Sequence, residues 1–273
     1  MKCYYHNDLD GRCAGAIVKR FAILSQQEEE KYIEMEYSDE VNLDNIKPDE
    51  TIYIVDFSFK PEIMEKILEK TKNIIWIDHH KTILQYEYSQ KLKGLRDINY
   101  SGCELTWMYL NPHLPFPEAV KFIGDRDKWA WQYGRDTAFF CMGLMIEYTQ
   151  PEGLIWDRLL HQHSQLVVNE IINQGKICMR FRDNLCEDYA NKYGFETEFE
   201  GYKCFALGIY MFGSEAFGNR FYHYDICISY EFLGDKWIVS LYSERVDVSK
   251  IAKKYGGGGH TRAAGFVSKD LPF

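Results

Sequence analysis

The stretch Asn73-Ile74-Ile75-Trp76-Ile77-Asp78-His79-His80 decides the fold. Residues 74 to 77 are four consecutive apolar side chains, long enough for one strand buried on both faces, as a central parallel strand is. The strand stops on Asp-His-His. Three groups able to bind a metal or move a proton thus stand at the carboxyl end of a buried strand, the edge where open α/β sheets hold their ligands. Two earlier segments repeat the pattern. Thr51 to Val55 runs into Asp56, and Lys2 to Tyr5 runs into His6-Asn7-Asp8-Leu9-Asp10-Gly11.

Between these strand ends the spacing turns helical. From Arg12 to Gln27, residues Ala14, Ile17, Val18 and Phe21 fall on one apolar face. Tyr32 to Tyr37 alternates as a strand does. Pro61 opens a second helix, where its missing N–H costs nothing, with Ile63, Met64, Ile67 and Leu68 as the buried stripe. Strand, helix, strand is the crossover unit of a parallel sheet. Beyond His80 two helices are predicted over 102–110 and 117–123, the second running into Gly124-Asp125-Arg126-Asp127. A mainly helical stretch follows to about residue 188. From Gly201 the texture changes to strands over 202–207, 224–232 and 237–242, then a short helix over 249–254 and the tract Gly256-Gly257-Gly258-Gly259-His260-Thr261-Arg262. The fold class is therefore α/β. A parallel-sheet catalytic domain is expected over 1–130, a helical connector over 131–195 and a smaller mixed α/β domain over 196–273.

At 273 residues, 46% apolar and 27% charged, the chain has the composition of an ordinary globular protein with room for two modest cores. It has no apolar run of membrane-spanning length, and Met1-Lys2 leads straight into a strand, so no membrane association and a cytoplasmic location are expected. The eight cysteines form no C-x-x-C pair and sit in apolar segments, which predicts free thiols. A formal net charge of −9 argues against a surface for long nucleic acid, whose binding rests on many lysines and arginines, but not against a short phosphorylated substrate.

A single aspartate at a strand end is commonly a helix cap. His6, Asp8, Asp10, Asp56, Asp78, His79, His80 and the Asp125/Asp127 pair, all gathered at one sheet edge, exceed what capping requires. Massed carboxylates repel unless cations neutralise them, and two divalent ions would do so. Carboxylate and imidazole donors suit manganese better than magnesium, and two such ions would activate water for attack on phosphorus. The glycine tract offers backbone N–H groups to an anion, with His260 and Arg262 beside it. Phe212, Phe217, Phe221 and Tyr222 are candidates to stack a base.

These residues, in this order, resemble the DHH phosphoesterase family, in the branch with a glycine-rich C-terminal DHH-associated domain. Asp78-His79-His80 matches the motif that names it, His6 to Gly11 its first motif, Val55-Asp56 its second, and Gly256 to His260 with Ala263-Ala264-Gly265 its C-terminal signature. The resemblance implies one manganese on His6 and Asp8, a second on Asp10 and His79, and Asp56 bridging both. Asp125 would supply the fourth-motif carboxylate, with Asp127 kept as its neighbour. It further implies that His80 faces the substrate phosphate, that Asp78 orients a neighbour from behind, and that Gly256, Gly257, Gly258, Gly259, His260 and Arg262 bind the far end of the substrate across a cleft between the domains. Members act on short RNA, 3′-phosphoadenosine 5′-phosphate, cyclic dinucleotides or single strands. The expected activity is manganese-dependent hydrolysis of short oligonucleotides to nucleoside monophosphates. The rivals are a pAp phosphatase, a cyclic- or linear-dinucleotide phosphodiesterase, a polyphosphate or pyrophosphate hydrolase, and a nucleotide-sensing protein without turnover. A homodimer is left open.

Overall fold

The computed structural model describes every residue except 27–29, 38, 162 and 211. The first helix therefore has its expected end, Gln27, outside the described residues. The order of elements is β1 (Lys2–His6), α1 (Leu9–Leu24), β2 (Lys31–Met35), β3 (Ile52–Val55), α2 (Pro61–Lys70), β4 (Ile74–Ile77), α3 (Gly102–Leu110) and α4 (Glu118–Asp127). There follow α5 (Arg135–Leu144), α6 (Ile155–Leu159), α7 (Gln165–Tyr193), β5 (Phe195–Phe199), β6 (Tyr202–Gly208), β7 (Ile226–Phe232), β8 (Trp237–Tyr242), α8 (Val248–Lys254), β9 (Gly258–His260) and β10 (Ala263–Ser268).

The first sheet has the order β2-β1-β3-β4 with every pairing parallel. Side chains alternate across it. Cys3, Tyr5, Tyr53 and Val55 face a core built with α1, α3 and α4, while Tyr4, Ile52 and Ile54 face a second core built with Met64, Ile67 and Leu68 of α2. Helices on both faces leave β3 and β4 apolar throughout, whereas the edge strand β2 carries Lys31 and Glu34. The 74–77 run reads as a central strand, yet β4 is the last strand of this order. Its outer edge is covered by residues 93–96. Trp76 N–H donates to Lys93 O at 2.9 Å and Asp78 N–H to Leu95 O at 3.1 Å, so the strand is enclosed although it ends the sheet.

The chain divides into two units, Met1–Cys178 and Met179–Phe273, and the boundary falls inside α7. Phe140, Leu144, Trp156, Leu159, Val168 and Ile171 bury against the same core as Cys3 and Ile17, so most of the expected connector belongs to the first unit. The second unit holds a six-stranded sheet of order β5-β6-β7-β8-β10-β9, antiparallel except between β6 and β7. Here α8 buries Val248, Ile251 and Ala252 against Val239, Leu241 and Phe266. All eight cysteines are free thiols. Among the described residues no helix is long and apolar enough to cross a membrane.

Candidate metal centre

The carboxyl ends of β1, β3 and β4 bring together a set of carboxylates and imidazoles, and each has a local reason to be where it is. Asp8 caps α1: its Oδ1 accepts from Gly11 N–H at 2.8 Å, while Oδ2 lies 2.9 Å from His6 Nδ1. Capping and charge pairing thus share one side chain. Asp10, in the first turn of α1, is 2% exposed and sits on the amino end of α3. It accepts from Ser101 Oγ–H at 2.8 Å, Gly102 N–H at 2.6 Å and Cys103 N–H at 3.0 Å, N–H groups that no helical carbonyl can satisfy. Ser101 and Glu104 complete a capping box on the same helix.

Asp56 is the centre. It is 1% exposed, has the left-handed φ of 53° just past β3, and neither carboxylate oxygen has a hydrogen-bond partner. His79 Nε2 lies 3.2 Å from its Oδ1, and His6 Nδ1 lies 4.0 Å from its Oδ2. Two glycines make this approach possible. A Cβ at Gly11 would fall 2.2 Å from His6 O, and one at Gly102 would fall 2.4 Å from Asp56 Cβ.

Asp78, fully buried, accepts on Oδ1 from His79 N–H at 2.7 Å and His80 N–H at 3.2 Å, with His80 Nδ1 at 2.7 Å. Its Oδ2 takes the Ser58 hydroxyl at 2.5 Å, and Ser58 in turn accepts from Trp76 Nε1–H at 2.8 Å. The His80 ring is thereby held through one nitrogen, leaving the other for a ligand. Burial pushes the Asp78 carboxyl up, but the His80 ring, Ser58 and the His80 amide outweigh it and hold it below its ordinary value.

Of the two α4 carboxylates, Asp127 lies in the cluster and Asp125 does not. Both lie in α4, where residues two apart point to nearly opposite sides, so only one can face the cluster. Asp127 Oδ2 is 3.5 Å from His79 Nε2 and has no hydrogen-bond donor. Asp125 turns the other way and is fully engaged, accepting from Gln132 N–H at 2.7 Å, Tyr133 N–H at 3.3 Å and the Thr137 hydroxyl. It closes the turn from α4 into α5.

Among the described residues, ligand atoms close enough to share an ion fall into three groups: His6, Asp8 and Asp56; Asp10, His79 and Asp127; and Asp56, Asp78, His79 and His80. Burial, and then the charges of Asp10 and Asp8, push the Asp56 carboxyl well above its ordinary range. The same causes push Asp127 up to about 8. Burial lowers His79, keeping its imidazole neutral as a ligand must be. A buried carboxylate with both oxygens orphaned, ringed by others that repel it, fits a site built for cations. Nitrogen and oxygen donors without thiolate suit a hard or borderline divalent ion.

In the second unit the glycine tract has structural work of its own. Gly256, at φ 80°, and Gly257 end α8 through N–H bonds to Lys253 O at 3.1 Å and Ala252 O at 2.9 Å, the paired bonds of a Schellman turn. A Cβ on Gly257 would fall 2.0 Å from Gly265 O, and Gly259, at φ 134°, lies against Ala264. Only Gly258 has open space where a side chain would go and an ordinary φ. His260 and Arg262 are exposed, Arg262 resting 3.2 Å from Glu244. Of the stacking candidates, Phe217 is wholly buried and has no face to offer, whereas Tyr222 is 61% exposed. Tyr242 packs on Phe217, and Arg245 donates to Tyr222 O at 2.7 Å.

Sequence reasoning passes over Ser58, Ser101 and Tyr37. The Ser101-Gly-Cys-Glu104 pattern announces a capped helix start and is the available signal for the second. Nothing local marks Ser58 or Tyr37, whose partners lie about 20 residues away.

A two-unit α/β chain with a carboxylate–imidazole cluster at its parallel-sheet edge defines the class. Residues 221–272 match the DHHA1 domain model. Protein R106 of Acanthamoeba polyphaga mimivirus, itself described as uncharacterized, is 27% identical over 248 residues, which is 85% of this chain. The chain spans 57% of that relative's length. The fold is similar to that of PggH from Vibrio cholerae, a pGpG-specific phosphodiesterase, at a TM-score of 0.58 and 14% identity, covering 98% of this chain and 93% of the other. It is also similar to a DHH domain from a protein described as a member of a family of ribosomal proteins, at a TM-score of 0.55 and 14% identity over 98% of this chain and 82% of that one. The DHHA1 match is confined to residues 221–272, and the likeness to these two solved structures is one of fold.

Proposed function

We propose that this chain is a metal-dependent phosphodiesterase that hydrolyses short oligonucleotides to nucleoside monophosphates, with two manganese ions at the β1/β3/β4 edge. The reading rests on one observation above the rest. Asp56 is buried with both oxygens lacking a donor, and each oxygen lies toward a different histidine. One ion would be held by His6, Asp8 and Asp56, and the other by Asp10, Asp56, His79 and Asp127. Bound divalent ions supply neutralisation of the phosphoryl oxygens and a lowered pKa for water.

The chain's own residues supply positioning. Asp78 accepts from His80 Nδ1–H, and although burial lowers the ring's pKa the Asp78 bond and charge outweigh it and favour the imidazolium, whose Nε2–H can donate to a non-bridging phosphate oxygen. Asp10, anchored by α3, and Asp8, anchored by α1, hold the sites in place before substrate arrives. In the second unit Arg262, His260 and the Gly258 amide are assigned to substrate binding, Arg262 as a charge partner for phosphate or carboxylate. A net charge of −9 favours a short substrate over a long strand.

Incubation of the manganese-loaded protein with labelled di- to pentanucleotides, cyclic dinucleotides, pGpG, pAp and polyphosphate tests the reading. Monophosphates released from the short oligomers support it. Turnover of polyphosphate alone moves the chain to the anhydride hydrolases, and nucleotide binding without turnover makes it a sensor.

A further inference from the structure

Beside the metal cluster, within the first unit, lies a cavity of about 470 Å³ that the metal chemistry leaves unused. Tyr37, Phe57 and Phe59 line it together with the aliphatic Val41, Leu43 and Ile63. Tyr37, just past β2, stacks on Phe57 at 5.0 Å and 27°, and Phe57 meets Phe59 edge-on at 5.1 Å and 78°. Tyr86 lines the cavity as well, with Lys60 and Lys66 of the α2 region at its rim.

The cavity joins the cluster through shared residues. The Tyr37 ring is 5.4 Å from that of His6 and 6.1 Å from that of His80. Ser58, which lines the cavity, is the residue that donates to Asp78. Phe57 and Phe59 are buried at 3% and 5% exposure, whereas Tyr37 is 51% exposed. An exposed aromatic stacked on a buried one, one ring's width from two imidazoles at a metal cluster, is an odd place to leave a large apolar face. The size lies within the range of small-molecule sites, about 300 to 1,000 Å³. Planar walls favour a planar guest. A lining of both signs, with Asp39, Glu40 and Glu62 beside the two lysines, suits the mixed donors and acceptors of a base edge better than a plain anion or an aliphatic chain.

We propose that this cavity is a nucleobase subsite, with Tyr37 as its stacking face, which takes the base of the nucleotide whose phosphate lies at the metal cluster. The inference rests on the phosphodiesterase reading for that phosphate and adds what the reading lacks, a reason to prefer nucleotides over other phosphate esters. Tyr37 is then a specificity residue and has no part in bond breaking.

Calorimetric titration of the manganese-loaded protein with AMP and with ribose 5-phosphate tests it. The two ligands share the phosphate and the sugar and differ in the base. The wild-type protein is expected to bind AMP at least about tenfold more tightly, the scale of one base–aromatic stack. Tyr37→Ala removes the ring, and Ile63→Trp fills the cavity from α2. Each is expected to bring the two affinities within about threefold, while ribose 5-phosphate binding moves little. Circular dichroism melting shows whether either variant has lost its fold, and Tyr37→Ala, altered at an exposed ring, carries the test should Ile63→Trp unfold. Equal wild-type affinities, no binding of either ligand, or a base preference that survives in the folded variants would overturn the proposal. Dinucleotide turnover, read separately, distinguishes the two claims. Hydrolysis without base preference removes the subsite and spares the enzyme, whereas base preference without hydrolysis does the reverse.

Discussion

Gly102→Ala places one methyl group against the centre of the site. Its Cβ would lie 2.4 Å from Asp56 Cβ and 2.5 Å from Asp56 Oδ1, where 3.4 Å begins ordinary contact, so something must move by about 1 Å. On the neighbouring side Gly102 N–H is fixed to Asp10 at 2.6 Å, and Asp56 is itself held at a left-handed φ. Taken alone, glycine to alanine at the start of a helix with no positive φ stabilises by about 0.4–1 kcal/mol through the unfolded chain. Overpacking of this kind costs about 1–3 kcal/mol, so a net loss of roughly 1–2 kcal/mol is expected. For a unit of this size that is a fall in Tm of about 2–8 °C. The displacement also separates Asp56 from His79, and a misplacement of about 1 Å costs on the order of a hundredfold in rate. Thermal melting of the metal-free protein, manganese titration and dinucleotide hydrolysis read the three effects. A Gly102→Ala protein that melts higher than the wild type and binds manganese as tightly would refute the packing argument and, with it, the central position of Asp56.

Asp127→Asn and Asp125→Asn should behave as opposites. The first removes a carboxyl that folding holds above its ordinary pKa at a cost, so the metal-free protein melts at the same temperature or higher while one ion is lost by elemental analysis; the second leaves two ions bound but lowers stability by about 1–3 kcal/mol, because an acceptor for Gln132, Tyr133 and Thr137 is lost. Glu50→Gln breaks a nearly buried pair with Lys2 at 2.6 Å and should cost about 3 kcal/mol by urea denaturation. Burial raises the Glu50 carboxyl but Lys2 and Lys47 N–H outweigh it, leaving its folded pKa depressed. The pair's contribution is therefore present above the unfolded value of roughly 4.3–4.5 and is lost as pH falls through the folded one, so wild type and variant should converge in acid. Gly258→Ala should leave melting nearly unchanged, since nothing lies where its Cβ would go; a raised KM for dinucleotides with kcat intact would tie that segment to substrate, and unchanged kinetics would release it.

Much of the first unit is legible in the sequence because the period-2 and helical patterns are local. The ends of β1, β3 and β4 announce themselves as apolar runs stopped by Asp or His, and β8 falls where the alternation places it. What is not legible depends on direction or on distance along the chain. Asp125 and Asp127 differ only in which side of one helical turn they face, and composition is silent on that. The four glycines suggest an anion cradle, yet Gly256, Gly257 and Gly259 answer to a helix end and a close strand pair, leaving one without a structural reason. β5 escapes notice because Phe195-Glu-Thr-Glu-Phe199 directly follows a long helix, with its turn hidden in Glu200-Gly201, both at positive φ. The 74–77 run looks central because residues 93–96 cover its outer edge, a contact that no local pattern records.

Elemental analysis of Asp56→Asn beside the wild type addresses the proposed pair of cations most directly. Two manganese ions are expected per wild-type chain, fewer than one in the variant, and a metal-free variant at least as stable as the metal-free wild type, because a buried carboxyl that ionises only at a cost has been removed. Two ions retained by Asp56→Asn, or none taken up by the wild type, would contradict a cation site centred on that carboxylate.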